Sequence, residues 1–106
     1  MRGAPLLAAL AVAGCGSAAG ASPPAPGPLV SVGDFRFAPA IVTVRVGQVV
    51  RWRNDGATLH SVEGRGFFSR ALRPGQTWSR RFARPGVYRY ACTLHPEAMR
   101  GTIVVR

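Results

Sequence analysis

Cys92, His95 and Met99 stand within one eight-residue stretch, "CTLHPEAM", of a 106-residue chain. That chain holds two cysteines, two histidines and two methionines in all. The second imidazole, His60, lies thirty-two positions before Cys92, in "DGATLHSV". Singly these residues say little. A lone histidine is ordinarily a surface or core residue, a lone methionine is core filler, and an isolated C-x2-H is a weak motif. Together, one thiolate, two imidazoles and a thioether are the donors of a blue-copper site, a trigonal His2Cys plane with a long axial Met. Cu(I) favours soft sulfur and low coordination, whereas Cu(II) favours nitrogen and more tetragonal geometry. A rigid donor set between the two keeps rearrangement small when an electron moves. Zinc competes, because sulfur and nitrogen donors also suit a tetrahedral ion. A catalytic zinc would want a base nearby, and only Glu97 is close, where it reads as a solvated loop carboxylate.

Elements that could bring these donors together are short, alternating and split by Gly and Pro. "LVSVGDFRF" alternates towards Phe35 and Phe37 before Pro39 breaks it. "IVTVRV" sets Val42, Val44 and Val46 on one face, and Gly47-Gln48 turns the chain. "VVRWRN" sets Val50, Trp52 and Asn54 opposite Arg51 and Arg53, with Trp52 read as core and Asn54 as a brace for the next loop or a turn former. "TWSRRF" follows the turn signal "RPGQ", and Trp78 is read as core. Strict alternation there turns Arg80 inward, which a bulge or an Arg at the sheet rim would resolve. "GVYRYAC" aligns Tyr88, Tyr90 and Cys92, and "GTIVVR" closes the chain with Ile103 and Val105 together. This spacing predicts a β-sandwich or barrel. Cys92 would end one strand and Gly101 open the last, so the ligand loop is tied at both ends.

The stretches "FRFAPAIVTVRVGQVVRWRND", His60-Ser61-Val62 and "RPGQTWSRRFARPGVYRYACTLHPEAMRGTIVV" resemble the cupredoxins of the plastocyanin/amicyanin group. The likeness spans about residues 29–106. It implies an all-β Greek-key sandwich holding one copper at one end, with His60, Cys92, His95 and Met99 as ligands. It also implies an apolar patch around the His95 edge, with Leu94, Pro96 and Ala98, where redox partners dock; plain loop packing explains those three equally well. Two departures stand out. The step from His95 to Met99 is four residues where short-loop relatives often have three, which bears on the axial distance. Ser61 follows the first histidine where the family often has Asn, which bears on one hydrogen bond around the ligands. Backbone N–H groups and the Ser61 hydroxyl are the candidates to brace the Cys92 sulfur.

The ends and the charge complete the reading. Met1-Arg2 and "APLLAALAVA" read as an export signal. Its end, "VAGC", resembles a lipobox, which would make residues 1–14 a cleaved leader and Cys15 a lipid anchor. The alternative is cleavage after Ala19–Ala21, which discards Cys15. Either way Cys92 is left as a single thiol, for which metal ligation is the leading explanation. Residues 15–28 read as a flexible Gly/Ala/Pro linker and residues 29–106 as the domain. No run is long enough to cross a membrane as a mature helix. Fourteen Arg, no Lys and four acids make the chain strongly basic. The Arg are scattered rather than interleaved with base-stacking aromatics, so nucleic acid is not the expected partner. An acidic redox protein, or anionic lipid near the anchor, would meet this charge faster. The expectation is an exported, membrane-tethered, monomeric one-electron carrier with one copper, at the outer face of the cell membrane or in the periplasm. It is not expected to be an enzyme, since no nucleophile or substrate cavity is evident. A copper storage or delivery protein and a metal-free interaction module are the alternatives.

Overall fold

The computed structural model describes residues 27–106. The leader, Cys15 and nearly all of the linker lie outside the described residues. Nine strands follow in chain order: β1 (Leu29–Gly33), β2 (Arg36–Ala38), β3 (Ile41–Val44), β4 (Val49–Asn54), β5 (Glu63–Gly64), β6 (Phe67–Phe68), β7 (Thr77–Arg81), β8 (Gly86–Ala91) and β9 (Arg100–Val105). They form a four-stranded sheet, β2-β1-β4-β7, and a five-stranded sheet, β3-β9-β8-β5-β6. Both are mixed: β1 runs parallel to β4 and β3 parallel to β9, while the other pairs are antiparallel. Among the described residues the fold is all-β, and the inward faces of both sheets contribute to a single apolar cluster.

Alternation explains why the cluster closes. Val50, Trp52 and Asn54 of β4 are buried while Arg51 and Arg53 are exposed. Ile103 and Val105 of β9 are buried together with Val42 and Val44 of β3. At the centre the Trp52 ring meets Tyr90 edge-on at 5.6 Å, the T-shaped arrangement that aromatic quadrupoles favour, and packs at a tilt of 37° on Trp78 at 5.3 Å. Gly101 sits directly opposite Tyr90 in the β8–β9 ladder. A Cβ there would fall inside the Tyr90 ring, so the large ring needs the missing side chain.

Four local expectations change. "LVSVGDFRF" is a hairpin rather than one strand, so Phe35 lies in its turn at φ 70° and points out, 61% exposed. β3 ends at Val44, and Val46 is exposed beyond it. The β5–β6 hairpin is an addition; two-residue strands carry too little alternation to read. Arg80 does face inward, but no bulge accommodates it, because the β4–β7 register runs unbroken from Val49↔Arg81 to Arg53↔Thr77. Its guanidinium lies 4.8 Å from the Phe67 ring centre and 5.2 Å from that of Phe82. Nη1 donates to the Gly66 carbonyl at 3.0 Å. Arg80 thus reaches from an edge strand of one sheet to the edge hairpin of the other, its charge held on aromatic faces.

Candidate metal centre

His60 follows β4 on a loop that Asn54 holds in shape. The buried Asn54 side chain donates Nδ2–H to the carbonyls of Thr58 (2.9 Å) and Leu72 (2.8 Å) and accepts the Gly56 N–H at 2.8 Å. The His60 backbone then pairs with Leu72, by His60 N–H to O at 3.2 Å and Leu72 N–H to O at 2.7 Å. The inward face of β4 therefore ends in the residue that sets the path of the ligand loop, and this is the bracing role of the two considered for Asn54.

Cys92 comes one residue after β8, and Met99 one residue before β9. The connection folds on itself: His95 N–H donates to the Cys92 carbonyl (3.1 Å), Met99 N–H to the His95 carbonyl (3.0 Å) and Cys92 N–H to the Met99 carbonyl (3.1 Å). The four-residue step from His95 to Met99 is thus absorbed in a compact turn. Met99 lies wholly buried in the same cluster as Cys92.

The structure brings His60, Cys92 and His95 together, with their ligating atoms all within 4.8 Å of one another. Both imidazoles present Nδ1 to the thiol: His60 Nδ1 lies 3.9 Å and His95 Nδ1 3.8 Å from Cys92 Sγ. One thiolate and two imidazoles are the strong donors of a His2Cys copper site, and they fall one short of the four strong donors that close a structural zinc site. His60 and Cys92 are sealed from solvent, whereas His95 is half-buried.

Around these donors the chain supplies hydrogen bonds. The Ser61 N–H points at Cys92 Sγ at 3.4 Å, and the Ser61 hydroxyl lies 3.8 Å from it. That hydroxyl accepts the Thr93 N–H at 2.9 Å and shares a 2.6 Å hydrogen bond with Thr93 Oγ1. Ser61 thus ties the His60 segment to the Cys92 segment. Burial pushes the Cys92 thiol up, but the Ser61 N–H, the two imidazoles and the Leu94 N–H outweigh it and bring the pKa down to about 6. A thiolate is the form a metal takes.

Two contributors escaped the sequence reading. Thr93 has no motif of its own. Asp34 lies in the β1–β2 turn, where a carboxylate reads as an ordinary turn former. Its Oδ1 stands 2.9 Å from His60 Nε2. The hydrogen bond from His60 holds the Asp34 carboxyl below the usual carboxylate range; partial desolvation opposes this and the Ala57 N–H assists it. Glu97 is exposed on the ligand loop. Leu94, Pro96 and Ala98 are exposed beside His95, as are Phe35 and Leu59 in the neighbouring loops.

Residues 5–105 match the family model described as a cupredoxin-like domain. The chain is 36% identical over 83 residues to amicyanin-alpha of Methylorubrum extorquens, covering 72% of this chain and 69% of that protein. It is 32% identical over 88 residues to plastocyanin of Scenedesmus fuscus, covering 70% of this chain and 90% of that protein. Among solved structures, the reduced Cu(I) form of a point mutant of amicyanin superposes with a TM-score of 0.72 at 29% identity, over 81% of this chain and 88% of that one.

Proposed function

Because the chain belongs to the cupredoxin family, we propose that it holds one copper ion at His60, Cys92 and His95, with Met99 as the weak axial donor, and carries one electron at a time between redox proteins. The observation that carries this reading is the placement of both Nδ1 atoms at 3.8–3.9 Å from one buried sulfur. When bound, copper supplies the one-electron couple. The chain supplies the rest. β8 and β9 clamp the Cys92–Met99 turn, the Leu72 bridge clamps His60, and Ser61 joins the two, so the donors keep their places when the charge between them changes. The sealed Cys92 and His60 keep water off the thiolate. His95, half-buried beside exposed Leu94, is the donor nearest solvent and the route by which an electron leaves or enters.

Carriage suits this site better than storage or delivery. A cargo ion must be handed on by exchangeable ligands, and three of the four donors, His60, Cys92 and Met99, have no solvent exposure. The reading is of a carrier rather than an enzyme by itself, with the buried Met99 as the proposed fourth donor. Partners with acidic docking faces fit the thirteen Arg and four acids of residues 29–106, about +9 in net charge, through faster encounter. We place the protein outside the cytoplasm, residues 1–14 as a leader, Cys15 as its lipid anchor and residues 15–28 as the tether. Cys15→Ser then moves the protein from the membrane to the soluble fraction; retention in membranes would count against the anchor.

The decisive experiment is the absorption and paramagnetic resonance spectrum of the copper-loaded protein. The Cu(II) form is expected to be intensely blue, from thiolate-to-copper charge transfer, with the colour lost in Cys92→Ser. A colourless Cu(II) protein, or a Cys92→Ser variant that stays blue, refutes the assignment.

A further inference from the structure

A third segment, outside both stretches that carry the donors, reaches both histidines. It is the turn between β1 and β2. Asp34 Oδ1 stands 2.9 Å from His60 Nε2, the ring atom opposite the Nδ1 that faces Cys92. The same carboxylate accepts the Ala57 N–H at 3.1 and 3.3 Å, and Thr58 Oγ1 lies 3.4 Å from it. It is therefore fastened to the loop that bears His60. Gly56 keeps the space open, since a Cβ at that position would overlap Asp34 Oδ1. The next residue, Phe35, adopts φ 70°, a conformation rare for a bulky side chain and one that persists where surrounding contacts over-determine it. Burial does not explain it, because the ring is 61% exposed. What the conformation achieves is an edge-on contact with the His95 ring, 5.1 Å between centroids at 75°.

We propose that the β1–β2 turn is a positioning segment of the metal centre, in which Asp34 fixes the ring orientation and tautomer of His60. The inference rests on the copper reading above. An ionised carboxylate only accepts hydrogen bonds, so His60 Nε2 must carry the proton, and in neutral imidazole that leaves the Nδ1 lone pair free to bind. Without Asp34 no carboxylate meets that ring: the Cys92 sulfur, 3.9 Å from Nδ1, then draws the proton to the ligating nitrogen, against only the Thr58 hydroxyl, 3.3 Å from Nε2. A carboxylate behind a ligating imidazole also raises its basicity, which favours Cu(II) over Cu(I).

The test needs no copper in its first arm. In metal-free protein carrying 15N-labelled histidine, at about pH 8, the neutral His60 ring is expected as a single Nε2–H tautomer. Asp34→Ala is expected to give a mixture. In the copper-loaded second arm, Asp34→Ala is expected to weaken Cu(II) binding about 10- to 100-fold relative to Cu(I). That raises the reduction potential by about 59 mV per tenfold for one electron. Asp34→Asn, which keeps the acceptor and loses the charge, should retain the tautomer and shift the potential by less. An Asp34→Ala protein with the parent tautomer and potential overturns the proposal. Should Asp34→Ala not fold, Asp34→Asn decides: an unchanged potential overturns it. If copper does not bind at all, the reading of function fails, while the metal-free spectrum still judges Asp34.

Discussion

Ser61→Ala isolates the bridge between the two ligand segments. Resemblance to the family leads one to expect Asn at this position; the structure shows a smaller side chain performing a bridging role. Its hydroxyl makes two hydrogen bonds to Thr93, at 2.6 and 2.9 Å, in a site where Ser61 itself is buried. The Ser61 N–H to Cys92 Sγ contact is a backbone contact and survives the substitution. At about 1 kcal/mol net for each lost hydrogen bond, the cost is ~2 kcal/mol, and it grows if water does not reach the abandoned Thr93 N–H. For a domain of this size each kcal/mol lowers the melting temperature by about 4–8 °C, so the metal-free protein should melt roughly 8–16 °C below the parent. Calorimetry of the two metal-free proteins measures this directly. A second readout is the potential of the loaded protein, which should move because Thr93 adjoins the thiolate. A variant that melts within about 2 °C of the parent would show that the bridge is incidental and that β8, β9 and the Leu72 bridge hold the segments unaided.

Two further outcomes follow from the same geometry. With a folded pKa of about 6 against about 8.5 for a free thiol, Cys92 is a depressed acid. Its ionisation stabilises the metal-free fold fully above the unfolded value, progressively less as pH falls, and not at all below about 6; thiolate absorbance should titrate near 6, and a midpoint at the ordinary thiol value contradicts the hydrogen-bonded site. Gly101→Ala drives a Cβ into the Tyr90 ring, which Phe37 and Trp52 hem in at 4.7 and 5.6 Å; overpacking costs of about 3 kcal/mol or more are expected, and a thermal melt close to the parent would refute the Tyr90↔Gly101 register.

Legibility in the sequence divides along physical lines. The alternation of "VVRWRN", "GVYRYAC" and "GTIVVR" specifies which residues face inward, because a strand's side chains repeat every two residues whatever its neighbours do. Those runs appear in the structure as read. Phe35 departs from that pattern because a turn interrupts the alternation, and an alternating run of residues looks the same whether it continues straight or doubles back after Gly33. The β5–β6 hairpin is too short to display a period at all. Arg80 breaks the hydrophobic rule for a reason no local pattern contains: the Phe67 and Phe82 rings that receive it come from outside its strand.

By itself the sequence determined the chemistry on offer: a thiol, two imidazoles and a thioether, three of them within one loop tied between strands, and a strand-built scaffold to hold them. Local spacing and side-chain type suffice for that. The tertiary structure alone decided that His60 arrives with Nδ1 toward Cys92, that Ser61 reaches Thr93, and that Asp34 stands behind the buried ring. Those contacts join residues 26 to 32 positions apart. They depend on the register and packing of two sheets, and a chain's local pattern does not state which of its turns will meet.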